Sequence, residues 1–254
     1  MYQDIFSLEN KVAIITGGAG GLGKDIAVGL AEFGADVVIA DRERLRLEKL
    51  KNNANIFGKE VLALEADVTS YKSVEDIVRK TMSEYNRIDI LINAAGINIR
   101  KPVLELDESE WDNIVNINLK GTYLCCKLIG EVMVSQNYGK IVNFGSVSSV
   151  LGHPEHSAYA ASKGGVLLFT KVLAMEWAGN NINVNALGPA YINTALTSEY
   201  LAKDDNYEKI VKSIPLGRLG SPKDIVGAVI YLSSSASDFV TGTLLMVDGG
   251  RTAD

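Results

Sequence analysis

Apolar residues along this chain gather into short, unbroken runs, separated by longer stretches in which they recur every three or four positions. The runs Val12–Thr16, Asp36–Ala40, Val61–Ala66, Ile88–Asn93, Lys140–Phe144, Ile182–Ala186 and Thr243–Val247 lack the alternation of a half-exposed strand. They predict strands buried on both faces. The stretches Leu22–Phe33, Arg44–Asn53, Ser73–Tyr85, Glu108–Val134, Ala158–Trp177 and Pro222–Ser234 predict helices. Boundary signals agree with this division. Ser221-Pro222-Lys223-Asp224 offers an N-cap, a proline at the first helical position and an acid in the first turn, and Gly34 stands where a helix-ending glycine belongs.

Strand–helix alternation over residues 1–254 predicts a single α/β domain, a doubly wound (Rossmann) parallel seven-stranded sheet with helices on both faces. No internal repeat, low-complexity tract or linker divides it. The rhythm breaks once, over Ala190–Gly220, where Tyr191, Leu196, Tyr200, Leu201, Tyr207, Ile210, Ile214 and Leu216 occur without a clear strand. Such an excursion reads either as a lid covering a ligand crevice or as a packed helical hairpin.

Composition narrows the function classes. Hydrophobic residues are 47% and charged residues 22% of the chain, so disordered and collagen-like structures are excluded. The longest apolar run, Ala228–Leu232, has five residues, whereas a membrane helix needs about 20. Met1–Ile5 shows neither the basic nor the apolar region of a secretory leader. Cys125 and Cys126 are adjacent and point different ways, so they read as core residues of a protein in a reducing, cytoplasmic setting. Neither these thiols nor the only two histidines, His153 and His156, come with clustered carboxylates, and no metal site is expected. The net charge of −6, with no basic cluster, leaves no footprint for nucleic acid or anionic lipid.

Candidate chemistry begins where the first strand meets the first helix. Gly17-Gly18-Ala19-Gly20-Gly21-Leu22-Gly23 lies between them. Glycines let the backbone turn sharply and approach a pyrophosphate, and the helix amino end offers unpaired N–H groups. Asp41 ends the second strand eighteen residues after Gly23. There a carboxylate accepts hydrogen bonds from the adenosine ribose hydroxyls and repels a 2′-phosphate, unless it is simply a surface turn acid. Arg42 pulls the other way, since an arginine here pairs with a 2′-phosphate. The order Asp41 then Arg42 favours NAD over NADP.

A second constellation is Tyr159-Ala160-Ala161-Ser162-Lys163, which sets a phenol and an ammonium on one face of a helix. A tyrosine near pKa 10 is a poor base at neutral pH, and a neighbouring cation brings it into range. An ordinary surface pair would look the same. Three further features favour chemistry: Ser146 ends the fifth strand thirteen residues before Tyr159, Asn118 lies on an adjacent helix, and Asn93-Ala94-Ala95-Gly96 ends the fourth strand.

Together these motifs resemble the short-chain dehydrogenase/reductase family. Thr16-Gly17-x-x-x-Gly21-x-Gly23, Asp67, Asn93-Ala94-Ala95-Gly96, Asn118, Ser146, Tyr159-x-x-x-Lys163, Pro189 with Thr194, and Val247-Asp248-Gly249-Gly250 fall in family order over residues 8–250. The resemblance implies that Tyr159 is the general acid/base and that Ser146 polarises the carbonyl or holds the alcohol. It implies that Lys163 binds the nicotinamide ribose and lowers the tyrosine pKa, while Asn118 holds a water linking Lys163 to solvent. Asp67 and Val68 would contact adenine, and Thr194 and the Ile192 backbone the carboxamide. Gly17, Gly21, Leu22, Gly23, Asn93, Ala95, Gly96 and Pro189 would complete the cofactor contacts. Ala94 replaces the family's second asparagine, and Ala190 replaces the glycine that usually follows Pro189. The resemblance also implies a homotetramer, with the Glu108–Val134 and Tyr159 helices in subunit contacts.

The resemblance implies a small-molecule alcohol or ketone as substrate. Ser148, His153, His156 and Arg100 are candidate contacts, the histidines and the Arg100-Lys101 pair being solvent-facing on the plainer reading. Ile5–Leu8, Ala95–Pro102 and Leu232–Val240 resemble the branch acting on sugar acids and polyols, such as gluconate 5-dehydrogenases. A 3-oxoacyl-carrier-protein reductase shares the same core. Its acidic partner calls for a basic rim, yet Leu128–Tyr138 and Ala174–Asn185 hold no Lys or Arg. Other small alcohols, including simple sugars and steroid-like ketones, stay open. A non-catalytic dinucleotide sensor on this fold would ordinarily have lost Tyr159 or Lys163.

Overall fold

Every residue of β1 (Val12–Thr16) is buried, which its place in the sheet explains. In the computed structural model, which describes residues 4–51, 61–193 and 206–253, β1 pairs in parallel with β2 (Asp36–Asp41) on one side and β4 (Ile90–Asn93) on the other. Beyond β2 lies β3 (Leu62–Glu65). Beyond β4 lie β5 (Gly139–Phe144), β6 (Ile182–Pro189) and β7 (Leu244–Val247). The order is β3-β2-β1-β4-β5-β6-β7, seven strands all parallel.

Alternate residues of one strand serve opposite cores. Ala13 and Ile15 pack in one cluster with Ile26 and Leu30 of α1 (Gly21–Glu32), Leu47 of α2 (Arg44–Lys51), and Ile225 and Val229 of α8 (Pro222–Ser233). Val12 and Ile14 join Ile77 of α3 (Tyr71–Tyr85), Ile129 of α5 (Gly121–Gln136) and Leu173 of α6 (Ser157–Trp177). Burial on both faces removes the polar alternation, so these strands read as continuous apolar runs.

Local chemistry sets the helix ends. Ser70 caps α3 by accepting from the Ser73 amide, and Asn86 and Asn137 close α3 and α5 in the left-handed conformation. Ser221 and Asp224 form a capping box around Pro222 at the start of α8. Gly34, at φ +104°, follows α1 as expected.

Two expectations need correcting. The predicted helix Glu108–Val134 is interrupted: α4 (Glu108–Val115) and α5 are joined by a π-turn over Asn116–Lys120. One extra residue shifts an apolar stripe by only about 100°, too little to break the periodicity of a long helix. Also, β6 continues past Ala186 to Pro189, carrying the chain to the crevice. In the segment 190–220, α7 (Asn206–Lys212) is a helix, Ile210 and Ile214 are buried, and Ile192 bridges to Gly220. Leu196, Tyr200 and Leu201, which motivated the lid reading, lie outside the described residues.

From β1 the chain winds outward through β2 and β3, then returns to place β4 on the other side of β1. This reversal opens a crevice at the carboxyl ends of β1 and β4, where open α/β sheets bind ligands. Among the described residues no helix is long and apolar enough to cross a membrane.

Candidate active site

A cavity of about 590 Å³ occupies this crevice, running from the glycine loop to Ser146, Tyr159 and the loop after β5. At the loop end, a Cβ on Gly23 would stand 2.2 Å from the Gly17 carbonyl oxygen, so α1 packs against the loop only because this residue has no side chain. Gly21, at φ +51°, faces open space. That opening, at the amino end of α1, fits a pyrophosphate.

Asp41 is buried at the end of β2. Its Oδ2 accepts from the Ala19 amide and its Oδ1 from the Glu43 amide, each at 3.0 Å. An ionised carboxylate has about four acceptor sites, so it braces the loop and retains capacity toward the cavity. Arg42 pairs with Glu43 at 3.6 Å, both side chains being exposed. Arg46, absent from the sequence-based candidates, joins them at the cavity rim. Leu22, Asp67, Val68, Ala95, Gly96, Pro189 and Ile192 also line the cavity. Asp67 caps Thr69, accepting from its amide at 2.9 Å. These residues fit a dinucleotide laid along the crevice. Thr194 lies outside the described residues.

At the other end, Ser146 lies two residues past β5, and its Oγ accepts from the Ser148 amide at 3.1 Å. Tyr159 lines the same cavity. Lys163, one helical turn beyond Tyr159 on α6, is buried and donates from Nζ to the Phe144 carbonyl. Its Nζ stands 5.7 Å from the Tyr159 ring centroid. Burial pushes the Tyr159 pKa up, partly offset by the Ser146 hydroxyl. Burial pushes Lys163 down to about 8. Burial is thus the largest influence on the phenol, while the Lys163 proton is directed at the Phe144 carbonyl.

Two expected site residues stand behind the cavity wall rather than in it. Asn118, on the π-turn, accepts from the Ile97 amide at 2.9 Å and donates to the Ile97 carbonyl at 3.0 Å and to Ser162 Oγ at 3.1 Å. It thereby clamps the backbone after β4 to α6. Asn93 is buried between β4 and β5. It donates to Asn143 Oδ1 and Cys126 Sγ, and Asn143 in turn donates to Thr170 Oγ1. Its place in this core network argues against the cofactor contact expected of it. Burial raises the pKa of both Cys125 and Cys126, in keeping with core thiols.

The predicted substrate residues Ser148, His153, His156 and Arg100 line the same cavity. Arg100 Nε donates to His156 Nε2 at 3.2 Å, while His156 Nδ1 lies 2.8 Å from the Pro154 carbonyl. Nε2 accepts, so Nδ1 carries the proton and the ring is neutral. Its pKa is lowered, mainly by burial. Lys101, by contrast, is committed to Glu110 at 2.7 Å, so the Arg100-Lys101 pair divides between cavity and surface. Sequence reasoning passed over Asn98, which also lines the cavity. Its signal is that it is the one polar side chain in the apolar run Ala94–Ile99. Among the described residues no group of three or more His, Cys, Asp or Glu is placed to hold a metal ion.

Comparison with known proteins agrees with this geometry. A family model described as enoyl-(acyl carrier protein) reductase matches residues 17–252. A 2-dehydro-3-deoxy-D-gluconate 5-dehydrogenase of Dickeya dadantii is 39% identical over 256 residues, covering 100% of both chains. An NAD-dependent glycerol dehydrogenase of Listeria innocua is 40% identical over 248 residues, covering 97% of this chain and 96% of that one. The crystal structure of a gluconate 5-dehydrogenase from Burkholderia cenocepacia in complex with NADP and tartrate gives a TM-score of 0.96 at 35% identity, with 100% of both chains covered.

Proposed function

The chain belongs to the short-chain dehydrogenase/reductase family of NAD(P)-dependent oxidoreductases acting on CH–OH groups, and on that premise we propose that it interconverts a secondary hydroxyl and a ketone on a sugar acid or polyol, with NAD preferred. The observation that carries this reading is the cavity wall adjoining Ser146 and Tyr159. There Arg100, held by His156, and the polar side chains of Ser148, His153 and Asn98 share the cavity with the reacting pair. A cation among hydrogen-bonding groups suits a hydroxylated carboxylate better than an acyl chain. NAD is preferred because buried Asp41 stands where a 2′-phosphate would meet a carboxylate, while Arg42 is already paired with Glu43.

Bound nicotinamide supplies the two-electron chemistry. The protein supplies position and proton handling. Ser146, in the same cavity as Tyr159, would orient the reacting oxygen by hydrogen bonding from its own hydroxyl. Tyr159 takes the alcohol proton in oxidation and returns it in reduction. Lys163 would hold the nicotinamide ribose and brings a positive charge near the phenol. Asn118 holds the Ile97 backbone at the cavity wall.

A carrier-protein reductase is the competing reading, since the family model takes its description from acyl-carrier-protein chemistry. A turnover screen separates the two. Gluconate, ketogluconates, sorbitol, glucose and an acetoacetyl thioester would each be tried with both nicotinamides. The expected result is turnover of a sugar acid or polyol with NAD, lost on the order of 10³-fold in Tyr159→Phe while NADH still binds. Turnover of the thioester alone with NADPH would overturn the proposal.

A further inference from the structure

Among the described residues five buried side-chain polar atoms lack a hydrogen-bond partner, and two of them, Asn98 Oδ1 and His153 Nε2, belong to residues lining the cavity. The others, Asn93 Oδ1, Ser157 Oγ and Ser233 Oγ, belong to residues outside it. His153 Nδ1 lies 3.3 Å from Ser148 Oγ, and its Nε2 has no partner. Whichever nitrogen of the neutral imidazole carries the proton, Nε2 can share a hydrogen bond with a hydroxyl, which both donates and accepts. Burial, together with His156 and Arg251, lowers the His153 pKa and keeps the ring neutral. Asn98 Oδ1 is an acceptor by its nature.

Both groups are held in place. The segments 98–101 and 153–156 are tied by the Lys101 amide donating to the Glu155 carbonyl at 3.2 Å and by Arg100 donating to His156. Glu155 sits at φ +64°, a conformation that L side chains rarely adopt and that the surrounding contacts must sustain. The His153 and His156 rings lie 5.8 Å apart, and His156 meets the Tyr159 ring edge-on at 6.0 Å, so this wall is continuous with the reacting tyrosine.

We propose that Asn98 and His153 are specificity-determining residues that read substrate hydroxyl groups beyond the reacting carbon, each hydrogen-bonding one O–H group. Two buried unpartnered polar atoms demand partners. A carboxylate or thioester carbonyl brings only acceptors, which Asn98 Oδ1 cannot use, and an acyl chain brings neither donor nor acceptor, whereas a polyhydroxylated chain brings hydroxyls, each donor and acceptor, at successive carbons. Arg100 serves the anionic end and these two serve the hydroxyls. The inference rests on the sugar-acid or polyol reading above.

The test compares gluconate with 5-hydroxyhexanoate, which keeps the carboxylate and one secondary hydroxyl, and sorbitol with 2-hexanol. In each pair the ratio of kcat/KM values isolates the additional hydroxyls and cancels any general loss of folded enzyme. The wild type should prefer the hydroxylated member. Asn98→Leu and His153→Phe should each lower that ratio about tenfold or more, and His153→Gln, which keeps an acceptor, should retain most of it. A ratio within twofold of wild type in both Asn98→Leu and His153→Phe overturns this inference alone. A wild type that oxidises neither sugar acids nor polyols overturns the substrate reading, and the inference with it.

Discussion

Lys163 donates its ammonium proton to the main-chain carbonyl of Phe144, the last residue of β5. That bond fixes the charge at the crevice floor, 5.7 Å from the Tyr159 ring rather than on its hydroxyl. Burial holds the phenol above its ordinary value of 10. Alcohol oxidation needs the deprotonated form, so its kcat/KM should climb from pH 6 to 9, while ketone reduction, which needs the phenol, should stay level over that range. The Lys163 ammonium, with its pKa near 8, is charged through the lower part of this range. Lys163→Met should therefore move the oxidation limb to higher pH by about one unit and lower turnover at pH 7 by about 100-fold. A limb unmoved by the substitution would show that the ammonium does not act on the phenol.

Much of this arrangement was legible in the sequence because its physics is local. Apolar runs without alternation gave parallel strands, since both faces of β1 and β2 are buried. Ser221-Pro222 marked the start of α8 because capping is written in consecutive residues. The glycine loop could be placed because Gly23 has to pack directly against the Gly17 carbonyl. What escaped is long-range. The π-turn at Asn116–Lys120 hardly disturbs the apolar period. The hydrogen bonds that draw Asn93 into the core link it to Cys126 and Asn143, far away along the chain. Asn98 looked like a loop residue until burial showed its oxygen unpartnered.

Asp41 carries two loads, and its substitution should separate them. The carboxylate braces the Ala19 and Glu43 amides and confronts any 2′-phosphate. Asp41→Asn keeps one acceptor oxygen and loses the charge, whereas Asp41→Ala loses both. Each should lower the ratio of kcat/KM for NAD over NADP by tenfold or more, and both should lower thermal stability, Asp41→Asn through one unpaired amide and Asp41→Ala through two, at about 1–3 kcal/mol per amide. Parallel titrations with the two cofactors and a melting curve would check this. An unaltered cofactor ratio would leave Asp41 with the bracing role alone.

From the π-turn, the Asn118 side chain makes two hydrogen bonds to the backbone at Ile97 and one to Ser162 on α6. Ser162 itself donates to the Tyr159 carbonyl at 2.7 Å, one step from the reacting residue. Asn118→Leu fills the same volume and makes none of these bonds. It should destabilise the fold by about 2–4 kcal/mol, on the order of 10 °C in Tm for a chain of this length. Turnover should fall with little change in substrate KM, because Asn118 lies behind the cavity wall. A Tm within 2 °C of wild type, measured by calorimetry, would show that Ile97 and Ser162 are held by something else.

On α6, Leu168, Val172 and Met175 are 64%, 50% and 84% exposed. Their spacing of four and three residues puts them on one stripe, away from the core. Beside them Tyr123 of α5 packs edge-on against Phe169, bordering an apolar groove between the two helices. A stripe of this size is uncommon on a monomer, and burying each side chain in a subunit contact is worth about 1.5–3 kcal/mol. The chain should therefore associate through the α5–α6 face, with four chains per particle as the family resemblance implies. The double variant Val172→Glu/Met175→Glu should place charges in that contact and produce smaller particles by light scattering at micromolar concentration. A wild type that scatters as a monomer under those conditions would mean that the stripe is simply exposed.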